Sequence, residues 1–272
     1  MAIKIGIVNQ KGGVGKTTTA ICLTDALTRI GYKTLLVDFA PQANCSSTFG
    51  VKGKEPTVYD AIMKRANIVD VVVKGNDMGD IVPSGEDLKM ALCELVNVKA
   101  GENRLRTALA PIEDQYDMIV IDSDPTPGIM LDNVLAAVDG VIIPMKAENY
   151  SIEGISSLVK DINEAKAELN PDLRIYGALL TMLDEKGTST HTKISESFDN
   201  LSQYNLYPFK TRIRLSKAIP STQTWVSIDQ PKNYSEHRIL EAKGSIYKYD
   251  NNSGAVDYSN FVRELMEVIT SE

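Results

Sequence analysis

Short apolar runs alternate along this chain with longer stretches whose apolar residues recur at helical spacing. The runs are Ala2 to Val8, Lys33 to Asp38 (KTLLVD), Asp80 to Pro83, Tyr116 to Asp122 (YDMIVID), Gly140 to Pro144 (GVIIP) and the start of Ile175 to Asp184 (IYGALLTMLD). They are too short for anything but strands, and their Ile and Val content fits strands buried on both faces. Between them, Thr17 to Gly31, Ser84 to Val96, Ile152 to Leu169, Thr190 to Leu201 and Asp257 to Thr270 read as helices, with Ser84 at a cap position and Gly31 as a stop. Thr57 to Met63 starts another helix inside a polar, helix-rich stretch, Cys45 to Lys99. Strands alternating with helices predict an α/β fold, a mostly parallel twisted sheet with helices on both faces. One domain over residues 1–272 accommodates it, with a surface insertion at about 222–245 that carries Trp225, the single tryptophan.

The first strand runs into NQKGGVGKTT, Asn9 to Thr18, and then into the first helix. Strand, glycine loop and helix in that order form the setting of a phosphate-binding loop. Glycines 12, 13 and 15 let the backbone turn so that its N–H groups and the helix N-terminus converge on a polyphosphate. Lys16 supplies a cation for the terminal phosphate oxygens and Thr17 a hydroxyl for Mg2+. The bland alternative is a glycine-rich turn that binds nothing.

A second lysine, Lys11, stands directly before Gly12. The string KGGVGKTT resembles the deviant Walker A box of the ParA/MinD ATPases. That resemblance implies an ATP site made by Lys11, Gly12, Gly13, Val14, Gly15, Lys16, Thr17 and Thr18, and a homodimer on ATP in which Lys11 reaches the partner's nucleotide. Two carboxylates end later strands, where ligands of open α/β sheets bind. Asp38 is a candidate partner of Mg2+ through water, and Asp122, in a stretch resembling a Walker B element, would hold the ion's hydration shell opposite Thr17. The segment after Asp38 resembles the family signature DxDPQ, with Ala40 in place of the second acidic residue. In the family that carboxylate positions the attacking water, so Ala40 marks a catalytic position from which the acid is missing. Drift to a weak ATPase and a deliberate Asp-to-Ala change made to trap ATP both fit. Asp124 is a further departure, standing where the family commonly has proline.

The same resemblance places Glu148 at the ribose of the partner's nucleotide, with Thr181 and Met182 near the adenine. Lys210 to Ala218 (KTRIRLSKA) resembles a family segment used for sequence-independent DNA binding, which makes Lys210, Arg212, Arg214 and Lys217 a candidate DNA patch. A solvated basic face is the plain reading of the same four residues. Any such contact must be local, because 36 acidic against 29 basic residues leave a net charge of −7. Cys22, Cys45 and Cys93 are too far apart in sequence for a metal pair and fit a reducing cytosol. His191 and His237 alone make no metal cluster.

The resemblance spans nearly the whole chain and points to a ParA/Soj-type partition ATPase. It implies ATP and Mg2+ as cofactors, a homodimer, non-specific DNA, and a ParB-type centromere-binding adaptor that stimulates hydrolysis. The expected location is cytoplasmic and nucleoid-associated, without membrane contact. A MinD-like membrane-cycling ATPase is the alternative, but it needs a basic amphipathic tail, and FVRELMEVITSE is acidic. An iron–sulfur reductase would need cysteines after other strands, and biotin-synthesis synthetases lack this DPQ-type box. With no long extension before the loop, DNA binding is expected from the ATPase dimer itself.

Overall fold

The structure is a computed structural model that describes residues 1–75, 77–146, 152–184, 198, 201–216 and 253–271. Six parallel strands form one sheet: β1 (Ile3–Ile7), β2 (Thr34–Phe39), β3 (Asp80–Val82), β4 (Met118–Ser123), β5 (Gly140–Lys146) and β6 (Arg174–Thr181), in the spatial order β3-β2-β4-β1-β5-β6. β1 is central, so the chain leaves it toward one edge and later returns to fill the other side. That reversal opens a crevice at the carboxyl ends of β1, β2 and β4.

Helices cover both faces. Toward one lie α1 (Lys16–Arg29), α2 (Asn44–Thr48) and, as the last described helix, α9 (Ser253–Thr270); toward the other lie α3 (Val58–Ile62), α4 (Ile68–Val71), α5 (Leu88–Glu94), α6 (Arg104–Leu109), α7 (Ile129–Ala137) and α8 (Ile152–Glu168). Strand alternation sorts the two cores. Leu35, Val37, Phe39, Ile119 and Ile121 pack under α3 to α8, while Leu36, Met118 and Val120 pack under α1 and α9. The same period of two turns Asp38 and Asp122, which follow Leu36 and Val120, toward α1.

Beyond β6, residues 207–215 run parallel to it as an irregular edge. Phe209 N donates to Ala178 O at 2.8 Å and Ile213 N to Leu180 O at 2.8 Å. α9 clamps this edge from below. Glu264 accepts from the N–H groups of Lys210 and Thr211, Asp257 takes Arg214 through a two-pronged ion pair, and Phe209 meets Phe261 edge to face at 4.9 Å. Thr19 of α1 contacts the Tyr258 hydroxyl of α9 at 3.2 Å, linking the loop-bearing helix to that clamp.

Several expected elements start elsewhere. α5 begins at Leu88 and not at Ser84, which is fully buried in the segment between β3 and α5. Ser84 Oγ donates to Ala40 O and its N–H donates to Ser46 Oγ, so the hydroxyl that looked like a cap ties the β3 end to the loop after β2. Thr57 does cap α3, in a reciprocal arrangement with Asp60. α9 starts four residues before Asp257. Of the expected helix over Thr190 to Leu201, Phe198 is described as helical and Leu201 opens a 3-10 turn, Leu201–Tyr204; the rest of it, both histidines, and the insertion at 222–245 lie outside the described residues.

Candidate functional site

β1 is largely buried, and the chain leaving it must reverse direction before α1 can pack on the same sheet. Gly13 at φ 73° and Gly15 at φ 89° make that reversal in a region where side-chain-bearing residues are strained. No heavy atom lies within 4 Å of where a side chain on Gly12 or Gly13 would begin, so the loop encloses open space. Struts hold it from behind. Asn9 donates to Pro144 O at 2.8 Å and accepts from Lys11 N at 2.9 Å, Gln10 bonds Asp161, and Thr181 Oγ1 donates to Val14 O at 2.8 Å.

Lys16 opens α1 and lies folded against the loop, its Nζ donating to Lys11 O at 3.1 Å. Its burial lowers the ammonium pKa, and the charges of Asp122 and Asp124 oppose that shift. The lysine is therefore held, partly dehydrated, at the mouth of a negatively lined floor. The Thr17 hydroxyl beside Asp122 favours its charged form and opposes the rise that burial imposes. Lys11 itself is exposed at the rim.

The floor is the pair Asp38 and Asp122, which sit opposite each other in the β2–β4 register, both fully buried. Asp38 Oδ2 accepts from Ser46 N at 2.8 Å and Ser46 Oγ at 2.7 Å, and Oδ1 accepts from Ala40 N at 3.4 Å. Burial pushes the Asp38 carboxyl up to about 6 against those hydrogen bonds. Burial, and then the charge of Asp38, pushes Asp122 up to about 7. Asp122 Oδ2 accepts from Cys45 Sγ at 3.3 Å, whereas Oδ1 has no partner among the described residues. An orphaned, dehydrated carboxylate oxygen beside a second carboxylate and a threonine hydroxyl fits a hard divalent cation.

A cavity of about 460 Å³ opens over these groups, lined by Gly12 to Thr18 except Val14, by Gln42, Asn44, Ser47 and Thr48 after β2, and by Ser123, Asp124, Pro125 and Met182. Ala40 lines it too, presenting only a methyl group. Its carbonyl is fixed by Ser84 and by Ala43 N, so the position is well held even without the carboxylate. Asp124 accepts from Thr126 N at 2.8 Å and turns the chain away from β4 along the cavity wall.

The expected residues divide accordingly. Gly12, Gly13, Gly15, Lys16, Thr17, Thr18, Ala40 and Met182 meet at the cavity, with Asp122 beneath them and Asp38 beside it. Val14 points into the core, and Thr181, expected beside the adenine, is 2 % exposed with its hydroxyl committed to the loop's backbone; it supports the site without facing it. Met182, at φ 55°, sits above Gly15 instead. Glu148 and Lys217 lie outside the described residues. Lys210 is exposed, but Arg214 is paired with Asp257, so the expected four-residue basic patch has one charge already compensated. Sequence reasoning missed Cys45 and Ser46, whose contacts arise only because α2 folds back under the two carboxylates.

The raised Asp122 pKa is a stability statement. A carboxyl whose folded pKa lies above its unfolded value of about 3.9 is stabilising below that value, and that contribution is lost as pH rises through about 7. Asp122→Asn is predicted to raise the unfolding temperature of the nucleotide-free protein by a few degrees at about pH 8, with the gain shrinking toward about pH 5.5. Thermal scans across that range check it; an unchanged or lower value at about pH 8 contradicts it.

A family profile described as an AAA domain matches residues 2–175. The sporulation initiation inhibitor protein Soj of Bacillus subtilis is 38 % identical over 242 residues, 87 % of this chain and 95 % of that protein. The chromosome partitioning protein ParA of Myxococcus xanthus is 43 % identical over 195 residues, 71 % of this chain and 69 % of its own. Among solved structures, cobyrinic acid a,c-diamide synthase from Mycobacterium smegmatis with bound ADP and magnesium superposes with a TM-score of 0.81 at 25 % identity, covering 100 % of this chain and 96 % of that one. A putative plasmid partition protein from Borrelia burgdorferi bound to AMPPNP superposes at 0.73 and 24 % identity, covering 100 % and 99 %, and bears on the fold alone. No helix among the described residues is long and apolar enough to cross a membrane. Glycine loop, paired strand-end carboxylates and near-full-length relatives agree, and the chain belongs to the ParA/Soj-type partition ATPases.

Proposed function

We propose that this partition ATPase binds Mg-ATP in the cavity above Asp122, pairs with a second copy through the bound nucleotides, and in that state holds DNA without sequence preference until a ParB-type adaptor stimulates hydrolysis. The observation that carries the proposal is that Lys16 and Thr17 line one cavity with the buried carboxyl of Asp122 beneath them and a methyl group at position 40 in its wall.

The loop N–H groups and the α1 N-terminus bind the phosphates, and Lys16 neutralises their terminal oxygens. Thr17 and Asp122 would hold Mg2+ and Asp38 would reach it through water, which would supply neutralisation of the charge on the transferring phosphoryl group. Lys11, exposed at the rim, would lend its ammonium to the partner copy's nucleotide. Ala40 can neither accept a proton nor orient a water, so binding survives while turnover slows. Removing such a group commonly costs about 10² to 10⁴ in rate. Ala40→Asp is expected to raise steady-state ATP hydrolysis by at least about tenfold with ATP affinity little changed; equal rates for the two proteins contradict this.

For DNA, the expected contact is made by Lys210, Arg212, Arg214 and Lys217, of which Arg214 shares its charge with Asp257. Phosphate contacts give affinity that falls steeply with salt, with a logarithmic slope of roughly 0.9 for each contact. Salt-titrated binding to duplexes of unrelated sequence should require ATP, fail with ADP, and lose about two units of slope in the Lys210→Ala/Arg212→Ala variant. Binding that ignores the nucleotide, or ATP-dependent capture by anionic liposomes in its place, contradicts the partition reading of this surface.

A further inference from the structure

Cys45 is the member of the buried floor for which ATP binding has no use. It lies on α2, the single helical turn after β2, and its thiol donates to Asp122 Oδ2 at 3.3 Å. Ligand atoms of Asp38, Cys45 and Asp122 all lie within 4.8 Å of one another, and the three side chains are buried. Asp122 Oδ1 is buried with no hydrogen-bond partner among the described residues.

Magnesium prefers an octahedron of oxygens and has little affinity for sulfur, whereas a thiolate with carboxylates suits softer divalent ions that accept four ligands. A tetrahedral zinc-class ion, with metal–sulfur about 2.3 Å and metal–oxygen about 2.0 Å, holds sulfur and oxygen roughly 3.5 Å apart. The Cys45–Asp122 contact already stands near that separation. We propose that Asp38, Cys45 and Asp122 form a binding site for a thiophilic divalent cation of the zinc class, and that Asp122 serves either this ion or the Mg2+ of the nucleotide site. On binding, the thiol proton leaves for solvent and the sulfur–metal bond replaces the thiol–carboxylate hydrogen bond. Asp38 keeps its bonds from Ser46 and Ala40 and uses remaining lone pairs, while Asp122 would take the ion through both oxygens, Oδ2 beside the sulfur and Oδ1, which has no other partner among the described residues. The other face of α2, with Asn44, Ser47 and Thr48, lines the nucleotide cavity. The competition with Mg-ATP rests on the nucleotide reading; the site itself does not.

Cadmium added to the nucleotide-free protein tests the site directly, through thiolate-to-metal charge-transfer absorption. One equivalent should bind with one sulfur, and X-ray absorption of the zinc complex should show a single sulfur among oxygen neighbours. Cys45→Ser should abolish the band, while the Cys22→Ser/Cys93→Ser double variant, which leaves Cys45 as the sole thiol, should retain it. The double variant decides the matter even where Cys45→Ser folds poorly. Absence of the band in the wild type or the double variant, its survival in Cys45→Ser, or two sulfurs around zinc overturns the site. Saturating Mg-ATP should lower cadmium uptake at least about tenfold; undiminished uptake overturns the sharing of Asp122 and leaves the sulfur site standing.

Discussion

Two carboxylates side by side at adjacent strand ends, both out of water, are the constraint around which this molecule is built. Asp38 and Asp122 share a register position on β2 and β4, so neither can move away from the other without breaking the sheet. Their repulsion and dehydration are answered from above by Lys16, by the Thr17 hydroxyl and by the N-terminus of α1, and from below by Ser46 and Cys45. The answer is incomplete: one oxygen of Asp122 has no partner among the described residues. A buried site that lacks one positive charge is destabilised alone and stabilised by the cation that completes it, which is how binding energy becomes available to order the surroundings.

That ordering has a route outward. The glycine loop rests on Thr181 at the end of β6, and β6 carries the irregular edge 207–215 on its flank. α9 grips the same edge through Glu264 and Asp257 and touches α1 through Tyr258. The loop, the edge with Lys210 and Arg212, and the terminal helix are thus one connected packing unit. Contiguity of this kind is a physical path along which the occupancy of the cavity and the presentation of the edge can be linked.

How far these features were legible in the sequence depends on whether each is local. Strands and long helices were, because buried parallel strands read as continuous apolar runs and helices repeat their apolar residues at 3.6. Lys16, Thr17 and the glycines were legible because the loop is contiguous and its backbone demands glycine at fixed places. Asp38 and Asp122 were legible as strand ends, although only the register shows that they are neighbours. Ser84 misled because a serine before an apolar helical stretch is a cap by local rules, whereas here its hydroxyl is consumed across the chain by Ala40 O. Thr181 was placed beside the site by resemblance, and its role as a strut depends on a bond spanning 167 residues. Cys45, Ser46 and the Arg214–Asp257 pair left no signal, since their partners are brought by tertiary folding alone.

The central claim is that bound Mg-ATP is shared between two copies of the chain, with Lys11 crossing from each to the other. The mass of the protein in solution by light scattering, at saturating Mg-ATP and at saturating ADP, tests this most directly. The account predicts a doubled mass with Mg-ATP, a single-chain mass with ADP, and no doubling when Lys11 is replaced by alanine; single chains throughout at saturating Mg-ATP would contradict it.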